Sequence, residues 1–70
     1  MEVVNLYRAL GDPTRLEMVM RLASGERYTI SKLSSKFNIT RQGARKHLQI
    51  LVDANVISLA PMGRDIEVRL

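Results

Sequence analysis

TISKLSSKFNITRQGARKHLQILV, residues 29–52, decides how this chain folds. Ile30, Leu33 and Phe37 recur at helical spacing, and Thr29 or Ser31 can cap that short helix by accepting a backbone N–H. Asn38 ends it, and Ile39 plugs the turn that follows. Thr40 caps a longer helix, expected over 41–54, with Ala44, Leu48, Leu51 and, to one side, His47 on its inward seam. Two helices joined by so tight a turn form a helix-turn-helix, the unit that offers its second helix to the major groove of DNA.

The residues opposite the seam suit that use. Stepping ~100° per residue from Ala44 puts Gln42, Lys46 and Gln49 on the far side. Arg45 lies on the flank, and Arg41 occupies the first turn. Arg and Lys read guanine N7 and O6, Gln reads adenine N6 and N7, and Thr or Ser bonds phosphate. The competing reading is a solvated amphipathic helix with no partner. Against it stand the short helix before it, the Thr40 cap and the segregation of charge. Gly43 costs about 1 kcal/mol of helix stability relative to Ala; close approach to a duplex and a tolerated surface glycine explain it equally well. His47, the only histidine, reads as a packed side chain with one hydrogen bond rather than a ligand or switch. The four methionines read as core or interface filler.

Toward the N-terminus, Val3, Leu6, Tyr7 and Leu10 define one helix face, and Gly11 ends that helix. Asp12-Pro13 starts the next one, with Asp as N-cap and Pro where no amide hydrogen is needed. Leu16, Val19, Met20 and Ala23 are its expected inward stripe, widened by Met18 and Leu22; Ser24-Gly25 closes it. Tyr28-Thr29-Ile30 allows a brief extended piece. Toward the C-terminus the period changes to two. Ile57 and Leu59, then Ile66, Val68 and Leu70, alternate with small or polar residues about Pro61-Met62-Gly63-Arg64, which predicts a hairpin over 56–70 with one apolar face. The expected fold is mainly α with a small β hairpin, a winged helix-turn-helix of four helices and two strands, forming one domain over residues 1–70.

Composition narrows the class. The 70 residues carry a net charge of +4 and no cysteine, which excludes disulfides and thiolate metal sites. Positive charge concentrates in the helix pair: Arg27, Lys32, Lys36, Arg41, Arg45 and Lys46 stand against Glu26 alone over residues 26–50. No stretch approaches the ~18 apolar residues of a membrane span. MEVVNLYRAL lacks a basic leader region, so a cytoplasmic setting is expected. A domain this small, without staples, gains stability by self-association.

Two stretches resemble the ArsR-type winged-helix repressors of prokaryotes. Leu10-Gly11-Asp12-Pro13-Thr14-Arg15-Leu16 is similar to that family's A-L-x-D-P-T-R-L run, and residues 40–51 are similar to its recognition helix, including the His47-Leu48 pair. Asp53-Ala54-Asn55-Val56-Ile57 resembles the helix exit, with Asn where the family usually has Gly. The resemblance implies a homodimeric repressor whose paired recognition helices occupy successive major grooves. It also implies a thiolate metal site at the start of the third helix, but Thr29 and Ser31 stand at those positions, so that mode of sensing does not carry over. The family's further C-terminal helix lies beyond the wing that ends at Leu70, which reads as a short member or a fragment. A dimer would then rest more on Val3, Val4, Leu6 and Tyr7.

The leading functional expectation is therefore sequence-specific binding to double-stranded DNA. Gln42, Arg45, Lys46 and Gln49 would meet bases or nearby phosphates. Thr40, Arg41, Ser31, Lys32 and Arg64 would set register on the backbone. The alternative is a winged-helix protein-interaction module that does not bind DNA. Enzyme function has no support: no P-loop, G-x-G-x-x-G, G-x-S-x-G or H-E-x-x-H pattern occurs. No cofactor and no metal effector are indicated.

Overall fold

The computed structural model describes residues 3–70, with side chains from Asn5 onward. Among the described residues four helices precede a hairpin: α1 (Val3–Leu10), α2 (Pro13–Ala23), α3 (Ile30–Lys36) and α4 (Arg41–Asp53). Three strands form one antiparallel sheet: β1 (Tyr28–Thr29), β2 (Ser58–Met62) and β3 (Asp65–Arg69), in the order β1-β3-β2. This is the winged helix-turn-helix order expected from the sequence.

The helix ends are set locally. Asp12, Thr29 and Thr40 are the N-caps of α2, α3 and α4, and each side chain accepts from the backbone N–H three residues on. Of the two candidate caps for α3, Thr29 is the one used. Asn38 and Asn55 both adopt positive φ, 53° and 59°. After α3, Asn38 N–H donates to Ser35 and Ile39 N–H to Ser34; after α4, Asn55 N–H donates to Val52 and Val56 N–H to Leu51. Each pair is a Schellman closure, in which a left-handed residue turns the chain and a following apolar residue packs back. The same device thus sharpens the turn inside the helix-turn-helix and the exit into the wing.

The core joins Met18 and Leu22 of α2, Ile30 and Leu33 of α3, Ala44, Leu48 and Leu51 of α4, and Tyr28 and Val68 of the sheet, with Ala9 of α1. The buried faces of α3 and α4 are those expected. Those of α1 and α2 are so only in part. Of the anticipated stripe Leu16, Val19, Met20 and Ala23, only Val19 turns inward: Leu16 is 42% and Met20 58% exposed, and Ala23 is exposed as well. The face turned in runs Arg15, Met18, Val19 and Leu22, spaced i, i+3, i+4, i+7. A cation begins that stripe, so apolar periodicity alone misses it. In α1, Ala9 is fully buried while Tyr7 is 73% exposed. Val3 and Val4, named above for a dimer surface, have side chains outside the described residues.

The turn of the wing is tighter than expected. Pro61 and Met62 belong to β2, paired with Ile66 and Asp65, so the turn is Gly63-Arg64 alone. Gly63 takes φ 63° at the first of the two turn positions, which suits a tight hairpin. Proline is tolerated in β2 because that strand lies at the sheet edge. Tyr28 pairs with Val68 and Thr29 with Glu67. The short extended piece before α3 is thereby stitched to the wing, which ties the wing to the start of the helix-turn-helix.

Candidate nucleic-acid interface

Helix α4 separates its two faces cleanly. Ala44, Leu48 and Leu51 are fully buried, whereas Arg41, Gln42, Arg45, Lys46 and Gln49 are exposed. The nine interface residues expected from the sequence nevertheless fall into two groups. Gln42, Arg45 and Lys46 on α4, with Arg64 at the wing turn, make no side-chain hydrogen bond or ion pair among the described residues. The others have work within the fold. Thr40 accepts from Gly43 N–H at 2.9 Å as the helix cap. Gln49 donates to Asp53 Oδ1 at 2.9 Å, one helical turn away. Lys32 Nζ lies 3.4 Å from Glu26, donates to the Arg27 carbonyl, and sits 4.9 Å from the centre of the Tyr28 ring.

Arg41 and Ser31 are brought together with a residue that sequence reasoning passed over. Arg41 Nη1 donates to Ser31 Oγ, and Nη2 donates to Asp65 Oδ1 at 3.2 Å. Asp65 opens β3 and also accepts from its neighbour Ile66 N–H at 2.8 Å. It reads in the sequence as a strand edge; no local signal places it beside Arg41, 24 positions away. The Ser31 hydroxyl, the Ile66 N–H and, more weakly, Thr29 and Arg41 hold its carboxyl down at about 2. A carboxylate depressed in the folded state contributes stability above its ordinary value of 3.8, and that contribution is lost as pH falls through about 2. In an acid titration followed by circular dichroism, wild type should lose stability across that interval and Asp65→Asn should lose less. Identical curves would show that the cluster contributes nothing to folding.

A second cluster positions α4 from behind. Arg15 Nε donates to the Ala9 carbonyl at 2.8 Å and Nη2 to the Arg8 carbonyl at 3.1 Å, so its guanidinium closes the C-terminal end of α1. Arg15 Nη1 lies 3.3 Å from His47 Nδ1. Arginine has no acceptor, so Nδ1 is the unprotonated ring nitrogen in this arrangement. Asp12 Oδ2 accepts from Arg15 N–H at 3.1 Å and stands 4.0 Å from the same His47 nitrogen. That backbone bond, followed by the Arg15 charge, lowers the Asp12 carboxyl. His47 is thus the packed, hydrogen-bonded histidine expected, and the Asp12-Pro13-Thr14-Arg15 run pins α1, α2 and α4 to one another.

A helix-turn-helix with an exposed polar face on its second helix and a β-hairpin beside it defines the winged helix-turn-helix class. Residues 10–60 match the helix-turn-helix domain family. The chain belongs to that family, in its ArsR-type winged form. It is 37% identical over 54 residues to the transcriptional repressor SdpR of Bacillus subtilis, covering 77% of this chain and 59% of that one. It is 33% identical over 57 residues to the arsenical resistance operon repressor of the same organism, covering 81% and 54%. A crystal structure of an ArsR family transcriptional regulator superposes with a TM-score of 0.86 at 29% identity, covering 97% of this chain and 69% of the other. The chain thus spans a little more than half the length of the curated relatives it matches. The family is one of transcriptional regulators, not enzymes.

The start of α3 is occupied by structural hydroxyls. Thr29 caps the helix and Ser31 joins Arg41. Among the described residues no group of three or more His, Cys, Asp or Glu side chains could hold a metal ion, and no helix is long and apolar enough to cross a membrane.

Proposed function

We propose that this chain is a DNA-binding transcriptional regulator of the repressor type, acting in the cytoplasm without thiolate metal sensing. Helix α4 enters the major groove with Gln42, Arg45 and Lys46 toward the bases. Arg64 brings the wing to the phosphate backbone or minor groove. The observation that carries this reading is the set of exposed, internally uncommitted side chains on α4, directly opposite its buried seam. The likeness to two named repressors supports it.

The chain acts as a homodimer in this reading, because a two-fold operator is matched by a two-fold protein. The α1 face with Leu6 and Tyr7 is the surface through which two copies meet. Tyr7, Leu16 and Met20 are apolar and exposed on α1 and α2. The same exposed groups favour a second reading, an interaction module that holds a protein partner and ignores DNA.

Sizing in solution, followed by selection from random duplexes at two salt concentrations, separates the two. The regulator reading expects a dimer and half-sites about one helical turn apart. No retardation of any duplex at low salt, with a protein partner retained at high salt, would favour the module instead. Contacts divide further by substitution. Gln42→Ala or Arg45→Ala should relax preference at particular base pairs by about 1–3 kcal/mol, whereas Arg64→Ala should weaken all sequences alike and reduce the salt slope by ~1. Gel-shift titrations that leave both kinds of variant unchanged rule out this docking.

A further inference from the structure

We propose that Asp65 competes with a DNA backbone phosphate for Arg41 and Ser31, and so sets how tightly the regulator holds any duplex. The inference rests on the DNA-binding reading above and goes beyond it by assigning a role to a residue outside the expected contact set. Arg41 lies in the first turn of α4 and Ser31 in the first turn of α3, so a cation and a hydroxyl from both halves of the helix-turn-helix converge on one place. The Asp65 carboxylate faces them from beside the wing turn, with Oδ1 3.2 Å from the guanidinium. The carboxylate offers Arg41 an anionic oxygen acceptor, as a phosphate does.

The exchange needs no opening of the core. The Arg41 side chain is 44% exposed and that of Asp65 25%, so water already reaches the pair. Exposed ion pairs contribute little net stability, and a polyanion can displace one partner. Asp65 has a separate bond to Ile66 N–H that holds its side chain when Arg41 leaves. Gly63-Arg64 immediately precedes it, so the carboxylate sits next to the wing turn expected to approach the backbone. Its negative charge therefore opposes docking twice, by occupying Arg41 and by repelling phosphate.

The test is a double-mutant cycle on duplex binding. Asp65→Asn keeps an oxygen for the Ile66 N–H while removing the charge. It should bind every duplex about three- to tenfold more tightly at low salt, with a salt slope steeper by about 0.9 as one more phosphate is neutralised. In an Arg41→Ala background the same substitution should give a clearly smaller gain, because no guanidinium is left to release and only the repulsion of phosphate is relieved. Thermal unfolding checks that each variant is folded; if Asp65→Asn is not, Asp65→Ser repeats the comparison. Unchanged affinity overturns the proposal, and so does an equal gain in both backgrounds, which would be simple charge removal. Weaker binding overturns it as well, since Asp65 would then be a clip that positions the wing. Failure of wild type itself to retard any duplex sinks the regulator reading rather than the role of Asp65 within it.

Discussion

Leu48→Ala should lower stability by about 2–5 kcal/mol, the range for truncating a buried leucine whose surroundings close only partly over the void. Leu48 is fully buried on α4, in the same seam as Ala44 and Leu51. Near it in the core lie Ile30 and Leu33 of α3 and Met18 and Leu22 of α2, so the site is shared by the helices that define the fold. A domain this small holds only ~3–5 kcal/mol in reserve. The substitution should therefore leave much of the population unfolded at ordinary temperature, with the melting midpoint lowered by at least ~10 °C. Ile50→Ala is the matched control. It lies on the same helix, but its side chain is 42% exposed, and its loss should be much smaller. Thermal and urea unfolding followed by circular dichroism measure both. Comparable losses at positions 48 and 50 would mean that the packing of α4 described above is wrong.

Arg15→Ala should be nearly as damaging, for a polar reason. The guanidinium donates to two carbonyls at the end of α1 and one imidazole of α4. Hydrogen bonds to a charged group contribute ~1.5–3 kcal/mol each and do not add simply when they share a side chain. A total loss of about 2–3 kcal/mol is expected. Lysine should restore little, because a single ammonium cannot span the fork that meets Ala9 and Arg8 together. Hydrogen exchange should locate the damage in α1, whose only fully buried described side chain is Ala9, and should show α4 still protected. If Arg15→Lys matches wild type, or if α1 protection is unaltered in Arg15→Ala, the guanidinium is not what anchors that helix.

Much of this architecture could be read before any coordinates. Thr40 before an amphipathic run, Asp12-Pro13 before another, and Asn at the two helix exits are local instructions. They act through the nearest backbone groups, and the structure uses each one. The buried seam of α4 was legible for a similar reason: Ala44, Leu48 and Leu51 are apolar amid polar neighbours, so only one orientation hides them from water. The exposed face of α4 followed as its complement.

The misread helices are those where apolar residues surround the axis. Along α2, Leu16, Met18, Val19, Met20 and Leu22 supply two plausible stripes, and the inner one begins with a cation. Apolar spacing alone does not choose between them, because nothing in the sequence states that carbonyls of α1 and the imidazole of His47 will meet Arg15. Tyr28 and Asp65 were undervalued on the same ground. Tyr28 is buried only because β1 adds to β3. Asp65 acquires a partner only because the wing folds back beside the start of α4.

The sequence by itself determined where helices begin and end, that a hairpin follows them, and which side of α4 faces water, because caps, turns and a clean apolar seam act within a few residues. The tertiary structure alone decided which face of α2 turns inward, that Arg15 anchors α1 against α4, and that Arg41 and Ser31 are shared with Asp65. Those outcomes depend on charges and carbonyls separated along the chain, whose encounter exists only after the elements have packed.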